Sequence, residues 1–179
     1  MSTILICLFC AAMAWSFTEY ALHHWVFHRF KLNSIGKREH LTHHAKSGYF
    51  TGFGLKLKMA CLGGAITFSL VWLCFDALIA MYFTSSFGMF YVIYERIHYL
   101  NHMAPPTSRY GRWARKHHFG HHFEDARFNH GVTSPLWDLV FNTHRRYEAV
   151  KVPKKFVLEW MIDEHMQIRD EYRADYQLR

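Results

Sequence analysis

Fifteen of the 179 residues are histidine, and most of them fall into four short groups: His23 and His28, then His40, His43 and His44, then His98 and His102, then His118, His121 and His122. Neutral imidazole is a strong ligand for zinc, copper, iron and nickel. On a helix the pattern HxxHH gathers three rings within about 100° of arc, and HxxxH puts two rings on one face. The first pattern occurs twice and the second once. His23 and His28 stand five apart, about 140° round a regular helix, so they reach different sides of a site unless the helix loosens there. Ten imidazoles exceed the needs of one ion. Shared between two ions they give about five each, which leaves the open or bridged position that a reactive metal needs. A structural zinc site is closed by four ligands, commonly including thiolates. Ten rings gathered without a metal would strand many donors and acceptors. A dimetal site is therefore expected.

The elements that must position these rings are apolar. Residues 4–22 contain one charge, Glu19. As a helix they would span roughly 28 Å, enough for a bilayer core. A signal peptide is the alternative, but no basic segment precedes the run and the residues after it carry the first histidines. Residues 59–102 are apolar up to Glu95 except for Asp76, too long for one span and suited to a hairpin with arms at about 59–74 and 78–98. A charge at the bilayer centre costs roughly 2.5–3.5 kcal/mol, so Asp76 belongs at the turn. The fold class expected is an all-α integral membrane protein of about three transmembrane helices, one plus a hairpin, in a single domain over 1–179. A helical cap would hold the histidine-rich dimetal site. The tail from Lys154 is amphipathic, with Val157, Met161, Ile168 and Tyr172 near helical spacing; it reads as a membrane-surface helix or, preferably, as packing over the polar segments.

The net charge is +7. Most lysines and arginines lie in 23–58 and 103–155, so the positive-inside rule puts both segments, and every histidine group, on the cytoplasmic side of a multi-pass protein. This accounts for the basic balance without nucleic acid, for which no recognition motif is present. Cys7, Cys10, Cys61 and Cys74 all sit in apolar runs and read as packing residues. His130, His144 and His165 read as ordinary polar rings at the water interface.

The order of the four boxes around an apolar hairpin resembles the fatty acid hydroxylase / sterol desaturase superfamily of membrane diiron enzymes. The segment GVTSPLWDLVFNT (131–143) is similar to the ending that follows the last box in its fatty acid hydroxylase branch, and GMFYVIYERIHYLNH to its last membrane helix. His24, His117 and His130 are extra to the pattern. The chain is short, with one membrane helix before the first box where relatives often have two, and it has no cytochrome b5 domain. The third box has three intervening residues rather than the four of carotenoid hydroxylases. The resemblance implies that His23, His28, His40, His43, His44, His98, His102, His118, His121 and His122 hold two iron ions, for which zinc can substitute in a purified sample. With O2 as co-substrate, one oxygen atom would enter a C–H bond of a fatty-acyl or related lipid. Glu95, Asp125 and Glu19 would hold ring N–H groups from behind. Electrons would come from an external donor such as a ferredoxin or cytochrome b5 with its reductase, since no flavin, haem or iron–sulfur motif is present. The substrate would enter sideways from the bilayer, past side chains such as Phe87, Phe90 and Tyr94. Competing readings are a desaturase or hydroxylase of sterols or other lipids, a non-enzymatic membrane metal carrier or sensor, and a zinc hydrolase. The spans lack the ionisable groups a carrier would need, and a hydrolase would not need ten imidazoles.

Overall fold

A computed structural model describes residues 2–179. Helix α1 (Ser2–Ala21) runs directly into a π-helical segment, Leu22–Arg29, and a short loop leads to α2 (Ile35–Ala45). Helices α3 (Phe53–Trp72) and α4 (Ala77–Met103) form a hairpin. Helix α5 (Arg109–Phe119) continues into a second π segment, Gly120–Glu124, and α6 (Leu136–Val140) follows. Three helical runs, Ser2–Arg29, Phe53–Trp72 and Ala77–Met103, are long and apolar enough to cross a membrane.

The long helices pack along aromatic seams. On α1, Cys7, Ala11 and Trp15 recur every four residues and are buried. Trp15 meets Phe87, Tyr91 and Tyr94 of α4 at ring-centroid distances of 5.2, 5.4 and 5.6 Å. Each such pair adds about 0.5–1.5 kcal/mol beyond its area burial. Helix α3 packs against α4 and buries none of its own side chains. Asp76 sits at the hairpin turn as expected, where Oδ1 accepts the Ile79 N–H at 2.8 Å and caps α4. The first arm starts earlier, at Phe53, and the second ends later, at Met103, than the apolar run suggests. Helix α4 carries on through the whole third box, so His98 and His102 stand on a rigid element. Ser34 and Ser108 cap α2 and α5 in the same way as Asp76 caps α4.

The tail corrects the all-α expectation. It forms two short strands, β1 (Val150–Val152) and β2 (Tyr176–Leu178), paired in parallel with Val150 opposite Tyr176. Single 3-10 turns lie between them. Alternating burial at Val150–Lys151–Val152 and the proline that follows favour a strand over a helix. The spacing of Val157, Met161, Ile168 and Tyr172 looked helical because each side chain folds back from a separate turn onto one cluster. That cluster also contains Phe119, inside the last histidine box, and Phe123, directly after it. The tail thus packs over the polar segments, as its amphipathic pattern implies, but without a helix.

Arg115 joins α5 to the end of α4. Its buried guanidinium donates to the carbonyls of Leu100 at 2.7 Å, Ala104 at 2.9 Å and Gly111 at 2.9 Å. The first two belong to the carbonyl-rich end of α4, where a cation is favoured. Arg115→Met leaves these carbonyls without their donor at a cost of about 1.5–3 kcal/mol. The thermal midpoint in detergent should fall by several degrees, with only partial recovery in Arg115→Lys, which lacks the planar fork. An unchanged midpoint in Arg115→Met would contradict this role.

Candidate metal centre

The fold brings the ten box histidines into two sets of five. His23, His28, His40, His44 and His121 form the first group, and His43, His98, His102, His118 and His122 the second. Within each group the candidate ligand nitrogens lie within 4.8 Å of one another. Each HxxHH is divided: α2 gives His40 and His44 to the first group and His43 to the second, and α5 with its π segment gives His121 to the first and His118 and His122 to the second. The stacked rings of His44 and His122, 4.1 Å apart, place the groups side by side. The π-helical segment explains His23 and His28. Its i→i+5 hydrogen bonds stack residues five apart, so both rings face one group where a regular helix would part them.

The hydrogen bonds define which nitrogens are free to bind. His23 Nδ1 donates to the His130 carbonyl, and His121 Nδ1 to the Phe128 carbonyl at 2.8 Å. A carbonyl only accepts, so each neutral ring carries its proton on Nδ1 and a lone pair on Nε2. Those two Nε2 atoms face each other at 2.9 Å. His121 Nε2 also lies 3.1 Å from both His28 Nε2 and His44 Nε2. In the second group His43 Nδ1 donates to the Tyr49 carbonyl at 2.7 Å, and its Nε2 meets His98 Nε2 at 3.0 Å. The facing lone pairs of His23 and His121 repel unless a cation lies between them. Metal–nitrogen bonds of about 2.1 Å place ligand nitrogens about 3.0 Å apart at right angles and about 3.4 Å apart in a tetrahedron. The observed separations suit five ligands at right angles with one position open.

Protonation does not offer an escape. Burial, its largest cause, lowers the ring pKa of His40, His43, His44, His118, His121 and His122, and neighbouring imidazoles add to it in all but His43. His44 is lowered to about 3. Neutral rings are the form that binds metal.

A cavity of about 210 Å³ opens onto both groups, bordered by His23 and His40 of the first and by His43 and His98 of the second. Its other walls include Trp15, Leu22, Phe27, Met59, Tyr91 and Tyr94. Of the three aromatics considered for a substrate path, Tyr94 lines it. Phe87 instead packs on Trp15, and Phe90 is not among the lining residues.

The fatty acid hydroxylase family model matches residues 8–143, three-quarters of the chain and every histidine box. The chain belongs to the fatty acid hydroxylase family. It is 31% identical over 147 residues to a dihydroceramide fatty acyl 2-hydroxylase of Arabidopsis thaliana, covering 79% of this chain and 60% of that one. It is 30% identical to a ceramide very long chain fatty acid hydroxylase of Saccharomyces cerevisiae, covering 80% of this chain and 40% of that one. It spans 60% and 40% of the lengths of these two relatives. Its fold is similar to the visible hydroxylase domain of full-length scs7p, with a TM-score of 0.65 at 24% identity, over 79% of this chain and 57% of that one.

The three carboxylates expected behind the rings of this family's boxes have other partners. Glu95 pairs with Lys56. Asp125 pairs with Arg127 at 2.8 Å. Glu19 accepts from Val132 N–H and from Thr133 N–H and Oγ1, which pins the segment after the last box to α1. Among the described residues, the carboxylate that meets buried imidazoles is Asp138. It faces His117 Nε2 at 3.3 Å and His130 Nδ1 at 3.5 Å, and accepts from His130 N–H, Gly131 N–H and Thr143 Oγ1. Burial pushes its carboxyl upward, but these hydrogen bonds outweigh burial and hold it far below the ordinary range. Gly131 is required there, since a Cβ would stand 2.0 Å from the Ser134 carbonyl. His130 is no interface ring: it is fully buried, 3.1 Å from His24 Nδ1 through its Nε2, and its ring lies against His23 and His121. A lone aspartate inside the apolar turn WDLV was the available signal. His165 is exposed, as expected.

Histidines in the unfolded chain titrate near 6.5, whereas these folded rings resist protonation. The unfolded state therefore binds more protons as pH falls, and stability of the metal-free protein is full above 6.5 and declines below it, down towards pH 3. Thermal melts of chelator-treated protein in detergent should show a lower midpoint at pH 5.5 than at pH 7.5. A midpoint that is flat or rises on acidification would contradict the buried neutral state.

Proposed function

We propose that the chain is a non-haem diiron lipid monooxygenase that hydroxylates a fatty-acyl chain with O2. The observation that carries this reading is the pair of five-imidazole groups beside a largely apolar cavity. All ten box histidines would be ligands, five to each ion. Bound there, two iron ions would supply the reduction of O2 and the oxidation of a C–H bond; zinc, which has no redox chemistry, would not. The chain's own part is placement. Trp15, Leu22, Phe27 and Met59 would hold an acyl chain, while His23, His40, His43 and His98 present the metal-binding face to it. The same apolar walls keep water from the reacting carbon. No side chain is needed as a separate acid or base.

The relatives' names make the fatty acyl chain of a ceramide-type lipid, attacked at carbon 2, the first substrate to test. The three long apolar helices suit a multi-pass membrane protein, and the lysine and arginine bias supports a cytoplasmic side for the histidine groups. Electrons would come from a ferredoxin or cytochrome b5. Lys31, Arg38, Lys46, Lys154 and Lys155 are exposed and would suit an acidic donor.

Mass spectrometry of lipids from cells with and without the chain should show acyl species heavier by one oxygen atom, absent with His121→Ala. In vesicles with a reduced donor, turnover should fall steeply as salt rises. Loss of two hydrogens in place of gained oxygen, or an unchanged lipid profile, would overturn the hydroxylase reading, and salt-independent turnover would overturn the acidic donor.

A further inference from the structure

The two histidine groups have the same number of rings but different support. In the first, the outer nitrogens of His23 and His121 are held by the carbonyls of His130 and Phe128, which belong to one short segment. That segment is clamped from behind. Asp138 accepts the N–H groups of His130 and Gly131 at 2.9 and 2.8 Å. Asn129, in left-handed backbone at φ 61°, exchanges hydrogen bonds with the backbone of Arg145 at 2.8 and 2.9 Å. Thr143 donates to Asp138 at 2.7 Å and its carbonyl accepts the Asn129 N–H at 2.8 Å. The second group has one such support, the Tyr49 carbonyl behind His43. The Nδ1 atoms of His102, His118 and His122 are buried without a partner.

A ring whose outer N–H is held is fixed in tautomer and orientation and is a better donor to metal, and such partners typically change metal affinity 10–100-fold. A ring whose outer N–H is buried unpaired pays for that on becoming a ligand. We infer that the two metal positions are unequal: the Asp138-clamped segment 128–131 makes the first group the firmly held position, and the second group releases its ion first. Asp138 is then a positioning residue that acts through the His130 and Phe128 carbonyls. This rests on the two-ion reading above.

The test is metal content per chain. Iron-loaded protein in detergent is equilibrated with rising chelator, desalted, and assayed for iron by mass spectrometry. Two ions per chain should fall to a plateau at one and then to none, with chelator midpoints at least about tenfold apart. His98→Ala should keep the tighter midpoint and His28→Ala should lose it. Asp138→Asn should move the tighter midpoint towards the weaker, leaving the weaker in place. Thr143→Val, a milder change to the same clamp, should shift it the same way by less, which separates the effect from misfolding. A wild-type protein that saturates below two ions would sink the two-ion reading and this inference with it. Saturation at two with a single midpoint, or a tighter midpoint untouched by Asp138→Asn and Thr143→Val, would overturn the inequality alone.

Discussion

Buried ring nitrogens that meet lone pair to lone pair set the terms for the rest of this structure. His23 and His121 each commit their proton to a backbone carbonyl, so their inner nitrogens have nothing to donate to each other. Burial disfavours adding a proton to His121. A shared cation is what reconciles such contacts, and a chain that folds around them is organised to receive one. The site's chemistry and the fold's stability are therefore coupled, since metal-binding free energy is also folding free energy.

The surrounding elements answer to that constraint. Departures from regular α-helix occur where rings must be redirected: the Leu22–Arg29 π segment turns His23 and His28 to one group, and the Gly120–Glu124 segment carries His121 and His122 to different ones. At Gly120 a Cβ would stand 2.7 Å from the Tyr147 ring, so that second segment depends on glycine. Helix α4 carries His98 and His102 at the end of the element packed along α1, and the folded tail closes over Phe119 and Phe123 beside the last box. The cavity lies where the two groups and the aromatic seam meet.

Much of the site was legible in the sequence because metal ligation leaves local periodic marks. HxxHH and HxxxH mark the residues that are gathered, though not the division of each HxxHH between two groups, and the awkward five-residue interval at His23 and His28 already pointed to a loosened helix. The apolar hairpin and its Asp76 turn were legible for the same reason, since one charge in a long apolar run has few cheap positions. What stayed hidden depends on tertiary contact. Asp138 reaches His130, eight residues earlier, and His117, and no periodicity announces that. Glu95 and Glu19 sit at helical spacing from box histidines, yet Lys56 from the neighbouring helix and the 132–133 backbone claim them first. The tail's apolar positions repeat at near-helical intervals through unrelated turns, which sequence pattern alone does not separate from a helix.

We propose two redox-active ions side by side, each among five imidazoles. X-ray absorption at the iron edge of the loaded, reduced protein tests it most directly. The spectrum should show about five imidazole nitrogens per iron with the multiple-scattering pattern of histidine rings, together with a second iron as a neighbouring scatterer. A spectrum dominated by oxygen or sulfur ligands, or one from isolated iron with two or three nitrogens, would contradict it.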